Sequence, residues 1–259
     1  MRVDIGGLRL FVEIVGEKLA IRDGQVVEKP TIVFVHGGPA WDHLTLRADL
    51  ESLSDVAQLV FYDHRGLGRS DVSAPADWTL SRWAGDLHNL IGTLGLNRPI
   101  VFGQSFGGMV AQRFALDYTE DYSAIILSAT AARFNLPRVL ETFHALGGEQ
   151  LAAVARAFYT ATDPVQRDRF LVDGFRYYTV SAPQIGGLSP FKPDVLDHFF
   201  SDAGDAHRFD YRAELPHVDA PVLVMGGDVD PVISADAVRE LAASFRPGVA
   251  ELTIFDNFG

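Results

Sequence analysis

The chain contains no cysteine. That excludes disulfides, thiolate metal sites and a cysteine nucleophile at once. Positive charge is also scarce: 22 Lys and Arg stand against 34 Asp and Glu, a formal charge of −12 with histidine neutral. Nucleic acid needs a basic footprint and an anionic membrane surface needs much the same, so neither is an expected partner. The acidity reads as solubility. No apolar run approaches the ~18 residues that a membrane span requires. Residues 1–15 alternate polar and apolar instead of forming a signal-peptide core, and the expected setting is cytoplasmic. Dinucleotide fingerprints, a P-loop lysine and clusters with metal-ligand spacing are missing, so no cofactor and no metal is expected.

What is present is a repeating pattern long enough for one α/β domain with an insertion. Six short apolar runs, at 31–35, 57–62, 99–102, 124–127, 221–225 and 251–255, lack polar alternation. Runs of that kind are strands buried on both faces of a sheet. Helical patterns lie at 43–54, 79–94, 105–118 and 234–245, and alternating strands and helices give a mostly parallel, doubly wound α/β sheet. Residues 2–15 read as an antiparallel hairpin turning at Gly6-Gly7, with a further edge strand at 19–22. The rhythm breaks once, over 130–213, where helical stretches (137–160, 163–178 and 193–200) come without a buried strand. The expected organisation is a core of 1–129 and 214–259 with a helical cap, 130–213, over the carboxyl ends of the strands. Open α/β sheets bind ligands at that edge.

Gly103-Gln104-Ser105-Phe106-Gly107 matches G-x-S-x-G and joins a predicted strand to a predicted helix. In that context it reads as a nucleophile elbow, a strained turn whose flanks must be small. Ser105 would stand at a helix N-terminus, where free N–H groups favour developing negative charge. His36-Gly37-Gly38-Pro39 follows the preceding parallel strand, and its glycines let backbone approach a reacting oxygen. The backbone N–H groups of Gly38 and Phe106 are the expected oxyanion donors. His36 is expected to brace the loop.

In order and spacing, His36-Gly37-Gly38-Pro39, Tyr62-Asp63-His64-Arg65-Gly66-Leu67-Gly68-Arg69-Ser70 and Gly103-Gln104-Ser105-Phe106-Gly107-Gly108 resemble the proline iminopeptidase family of the α/β-hydrolase superfamily. The resemblance covers about 30–128 and 218–259. It implies an α/β-hydrolase fold and a serine hydrolase cleaving a small ester, amide or short peptide through a Ser-His-Asp triad and an acyl-enzyme. A carboxylesterase or lactonase of the same fold, or a non-catalytic ligand-binding relative, are the alternatives. The chain departs from the family at His64 (usually Gln), Ala40 (usually Gly) and Phe106 (usually Trp or Tyr). The acidic cap residues with which that family holds a free amino terminus are not recognisable. The resemblance also implies that Asp63 and Arg65 tie their loop together.

The triad acid should follow the strand at 221–225. In Gly227-Asp228-Val229-Asp230-Pro231, Asp230 matches the family's Asp-Pro, and Asp228 is the alternative. The base should come next, yet His36, His43, His64, His88, His144, His198, His207 and His217 all precede Asp230. The expectation is that the complete protein continues past Gly259 with a histidine and a closing helix, the rival being a substitute base from His207 or His217. The acyl pocket is expected among Phe143, Phe158, Phe170, Phe175, Tyr177, Tyr178, Phe199 and Phe200.

Overall fold

The fold is described from a computed structural model over residues 1–179 and 191–259. β1 (Arg2–Asp4) and β2 (Arg9–Val15) form the leading hairpin. Its turn passes through Gly6 and Gly7 at φ of 104° and 94°, and both N–H groups donate to Asp4 Oδ1 at 2.8 Å. β3 (Leu19–Arg22) and β4 (Gln25–Glu28) form a separate two-stranded ribbon. Leu19–Arg22, expected as a further edge strand, thus pairs with β4 and does not join the main sheet. Asp23 and Gly24 turn between them, both at positive φ as a tight hairpin demands.

From there strands and helices alternate: β5 (Thr31–Val35), α1 (Leu44–Leu50), β6 (Gln58–Tyr62), α2 (Leu80–Thr93), β7 (Ile100–Gln104), α3 (Phe106–Asp117) and β8 (Ala124–Ser128). The helical stretch follows as α4 (Leu136–Thr160), α5 (Pro164–Asp173) and α6 (Pro193–Phe200). β9 (Val222–Gly227), α7 (Ala235–Ala243) and β10 (Ala250–Phe255) complete the described elements. The strands make one eight-stranded sheet in the order β1-β2-β6-β5-β7-β8-β9-β10, antiparallel at β1 and β2 and parallel throughout the rest. This is the α/β-hydrolase fold with the antiparallel hairpin at its edge.

Period-two packing explains why the central strands read as unbroken apolar runs. Val33 and Val35 face the large core beneath α2 and α3, while Ile32 and Phe34 face a smaller one under α1 with Leu46, Leu59 and Phe61. Helix ends differ from the expected spans where the backbone is special. The helix expected over 43–54 is α1 followed by a 3-10 turn at Glu51–Asp55. α4 is kinked where Gly147 and Gly148 leave helical geometry.

The helices between β8 and β9 rest on the core through rings. Phe199 meets Phe106 edge-on at 5.0 Å, and Phe175 and Phe191 lie 5.4 and 5.2 Å from Trp41. Two hydrogen bonds fix the same seam, from Lys192 N to Ala40 O (2.9 Å) and from Leu80 N to Asp205 Oδ2 (2.8 Å). No helix among the described residues is long and apolar enough to cross a membrane.

Candidate active site

Four parallel strands end side by side, and the loops leaving β5, β7, β8 and β9 meet at their carboxyl edge. β7 turns into α3 at Ser105, whose φ of 50° and ψ of −118° lie outside even the left-handed helical region. A residue with a side chain holds such a conformation only where its surroundings impose it. Here Ser105 N donates to Ser128 O at 2.9 Å, and Ser105 O accepts from Thr130 Oγ1 at 2.7 Å. The flanking glycines have no room for a side chain. A Cβ on Gly103 would lie 2.7 Å from Gly107 O, one on Gly107 2.0 Å from Val35 O, and one on Gly108, just past the motif, 2.5 Å from Thr130 Cβ. The G-x-S-x-G pattern thus has a steric cause at each glycine.

The loop after β5 closes on this turn. A Cβ at Gly37 would stand 3.3 Å from the Ser105 Cβ, and Gly38 has φ of 62° with the Trp41 ring packed against its Cα. Among the described residues, no hydrogen bond uses the N–H of Gly38 or of Phe106. Two free amides flanking a serine at a helix N-terminus can receive an oxyanion.

His36 is wholly buried; its Nδ1 donates to Gly37 O at 2.9 Å and its Nε2 accepts from His64 N at 3.3 Å. Burial lowers its pKa and that of His64, which sits among the rings of Tyr62, Trp83 and Phe106. Both are neutral braces. Arg65 pairs with Asp86 through Nε (2.8 Å) and Nη2 (2.6 Å), and Asp63 Oδ2 accepts from Arg69 N, so both side chains tie down the loop after β6.

The two aspartates after β9 differ. Asp228 is exposed and its Oδ1 accepts from Asn257 N at 2.6 Å. Asp230 is drawn inward, and its Oδ1 accepts from Val232 N and Ile233 N, both at 2.8 Å. Burial pushes its carboxyl up to about 6, against the two amide donors that pull it down. Near it lies a hydroxyl pair, Tyr159 and Tyr178, which share a hydrogen bond; Tyr178 is among the aromatics expected at the pocket and Tyr159 is not. Burial raises both phenols and the Asp230 charge pushes the same way. Spacing of 19 residues across α4, α5 and a 3-10 turn leaves no periodic signal to pair them by.

Among the described residues, no histidine bonds to Ser105 or Asp230. His207 Nε2 lies 2.8 Å from Tyr159 O and 3.1 Å from Phe200 O, engaged within the helical insertion. His217 is exposed in the 3-10 turn Leu215–His217, which leads into the amino end of β9, the wrong edge of the sheet. The aromatic residues expected to line a pocket are mostly core: Phe143, Phe158, Phe170, Phe199 and Phe200 are buried and stack on one another. Surface grooves elsewhere, one beside the N-terminal hairpin and α2 and one along α4, are lined by neither Ser105 nor Asp230. One buried group, Asp42, His43 and Asp63, brings ligand-type atoms within 4.8 Å of one another, but both ring nitrogens of His43 are already engaged by carboxylates.

The family model for the alpha/beta hydrolase fold matches residues 30–258. The chain belongs to the α/β hydrolase fold family. Within it, this hydrolase is similar to the proline iminopeptidase of Lactobacillus helveticus, 26% identical over 258 residues that cover 92% of this chain and 85% of that protein. Among solved structures it is similar to a proline iminopeptidase from Mycobacterium smegmatis (TM-score 0.75, 21% identity, covering 100% of this chain and 90% of that one). It is also similar to a thermophilic esterase from Thermogutta terrifontis (TM-score 0.71, 22% identity, covering 100% and 90%). The sequence relatives named are thus peptidases, while the esterase shares the fold.

Proposed function

We propose that this hydrolase is a serine acyl hydrolase in which Ser105 is the nucleophile, Asp230 the acid, and the amides of Gly38 and Phe106 the oxyanion hole. The observation that carries the reading is Ser105 itself, a serine held at φ 50° and ψ −118° between two uncommitted backbone donors. Ser105 Oγ attacks the carbonyl carbon of a small ester, amide or short peptide, and a histidine base takes its proton. Asp230 orients and charge-balances that base, and water then releases the acyl group. The base is the one role for which the described residues bring no histidine to Ser105. The helices of 130–213 act as a cap, with the Tyr159 and Tyr178 hydroxyls on its underside facing Asp230.

Sequence likeness to proline iminopeptidases favours an amide with a free amino terminus. A second reading, an esterase or lactonase, has its own support. The partly buried carboxylates among the described cap residues, Asp173, Asp197 and Asp205, are paired with Arg169, Arg167 and Arg208. Each of the three is thus already neutralised by a guanidinium, although Asp197 Oδ1 is buried without a hydrogen-bond partner. Ser105→Ala in the protein as its gene encodes it should lower hydrolysis of a nitrophenyl ester by several powers of ten. Wild-type activity in that variant would refute the assignment. A peptidase should lose activity on N-acetylated substrates, whereas an esterase should not.

A further inference from the structure

The loop that carries Gly38 runs from the end of β5 into α1, and His43 stands where it re-enters the core. The His43 ring is wholly buried. Its Nδ1 lies 2.5 Å from Asp63 Oδ1, at the end of β6, and its Nε2 lies 3.1 Å from Glu13 Oε2, in β2. A neutral imidazole carries one N–H and one lone pair, so it can donate to only one of these oxygens. The other contact would set a lone pair against a carboxylate. Their neighbours hold both the Glu13 and the Asp63 carboxyl below the ordinary carboxylate range, and with both ionised only a ring protonated on both nitrogens satisfies both.

We propose that His43 is a positioning residue held as a buried imidazolium, which latches the Gly38 loop to β2 and β6. The charges around it require such a cation. Facing it are the carboxylates of Glu13 from β2, Asp42 from the loop and Asp63 from the end of β6. Arg47 of α1 binds Glu13 Oε1 at 3.0 Å and is itself shared with Glu51. The Arg69 guanidinium lies over the Phe11 ring, which stacks on His43, and His36 is neutral. Arg47 pairs with Glu13 but, among the described residues, with neither Asp42 nor Asp63, and Asp42 Oδ2 is already buried without a hydrogen-bond partner. Burial pulls the His43 pKa down, but Asp63 and Glu13 outweigh it and hold the ring above its ordinary range. Asp63 also accepts from the His43 backbone N–H at 3.1 Å, so ring and chain are anchored together.

The latch rests on the functional reading above only in giving Gly38 a catalytic part; the charge on His43 does not. The test is nitrogen-15 NMR of the histidines in the whole chain. Both His43 nitrogens should bear protons at pH 7, while His36 shows a single-proton neutral ring. Glu13→Gln keeps a hydrogen-bond acceptor but removes one charge, and should lower the His43 midpoint by about one pH unit or more. The Gly38 amide shift should follow that midpoint in both proteins, while amides of β8 should not. A neutral His43 at pH 7, a midpoint unmoved by Glu13→Gln, or a Gly38 amide indifferent to it would overturn the proposal. Ser105→Ala retaining activity would refute the hydrolase assignment instead and leave these resonances as they are.

Discussion

Strain at Ser105 is a stability cost that a mutation can recover. Glycine adopts positive φ without penalty, so Ser105→Gly should stabilise the fold by about 1 kcal/mol or more, measured by chemical denaturation. Gly107→Ala should act in the opposite sense and cost about 2–4 kcal/mol, because its methyl would meet the Val35 carbonyl, which cannot swing aside. Asp230 gives a pH-dependent case. Its carboxyl titrates near 6 in the fold against 3.8 for an ordinary aspartate, so the folded state prefers the proton. The charged form therefore weakens the fold as pH rises through that window. Asp230→Asn should be more stable than the wild type by about 1–3 kcal/mol at pH 8, with the gain vanishing below about pH 4. A gain that does not change with pH would contradict the burial argument. At this scale the motifs around Ser105 were legible because sterics dictate them residue by residue. The His43 clamp was not, since Glu13, His43 and Asp63 come from three distant segments that only the sheet order brings together.

Elements were legible where burial was two-sided. β5 to β9 read directly as apolar runs because neighbours cover both faces. β4 did not, since its ribbon stands outside the main sheet and Val26 is 68% exposed, which leaves no hydrophobic pattern to read. The α4 kink falls inside a stretch expected as one helix, although the Gly147-Gly148 pair that leaves helical geometry there stands in the sequence. The seating of the helical insertion is carried by a few rings. Phe199 touches Phe106, Trp83 and Phe200, so Phe199→Ala should cost about 3–5 kcal/mol. It should also speed proteolysis within residues 130–213 more than in the parallel strands. Uniform cleavage of the whole chain would show that the insertion is not a separately yielding unit.

For the whole molecule, charge and missing residue types narrowed the chemistry, and the order of strands set the site. Ser105, Ser128 and the Asp230 loop follow adjacent strands, so residues 125 positions apart in the chain share one edge of the sheet. Their chain order was readable because a parallel sheet delivers successive loops to one side. Substrate identity was not, since no motif in residues 130–213 resembles a known family. Ser105 as nucleophile is tested by covalent labelling of the gene's full-length product with a fluorophosphonate, followed by peptide mass spectrometry. Ser105 should carry the phosphonyl group as the sole modified residue, and Asp230→Asn should slow the labelling. A label on another residue, or Ser105 left unmodified beside an active enzyme, would show that Ser105 is not the nucleophile.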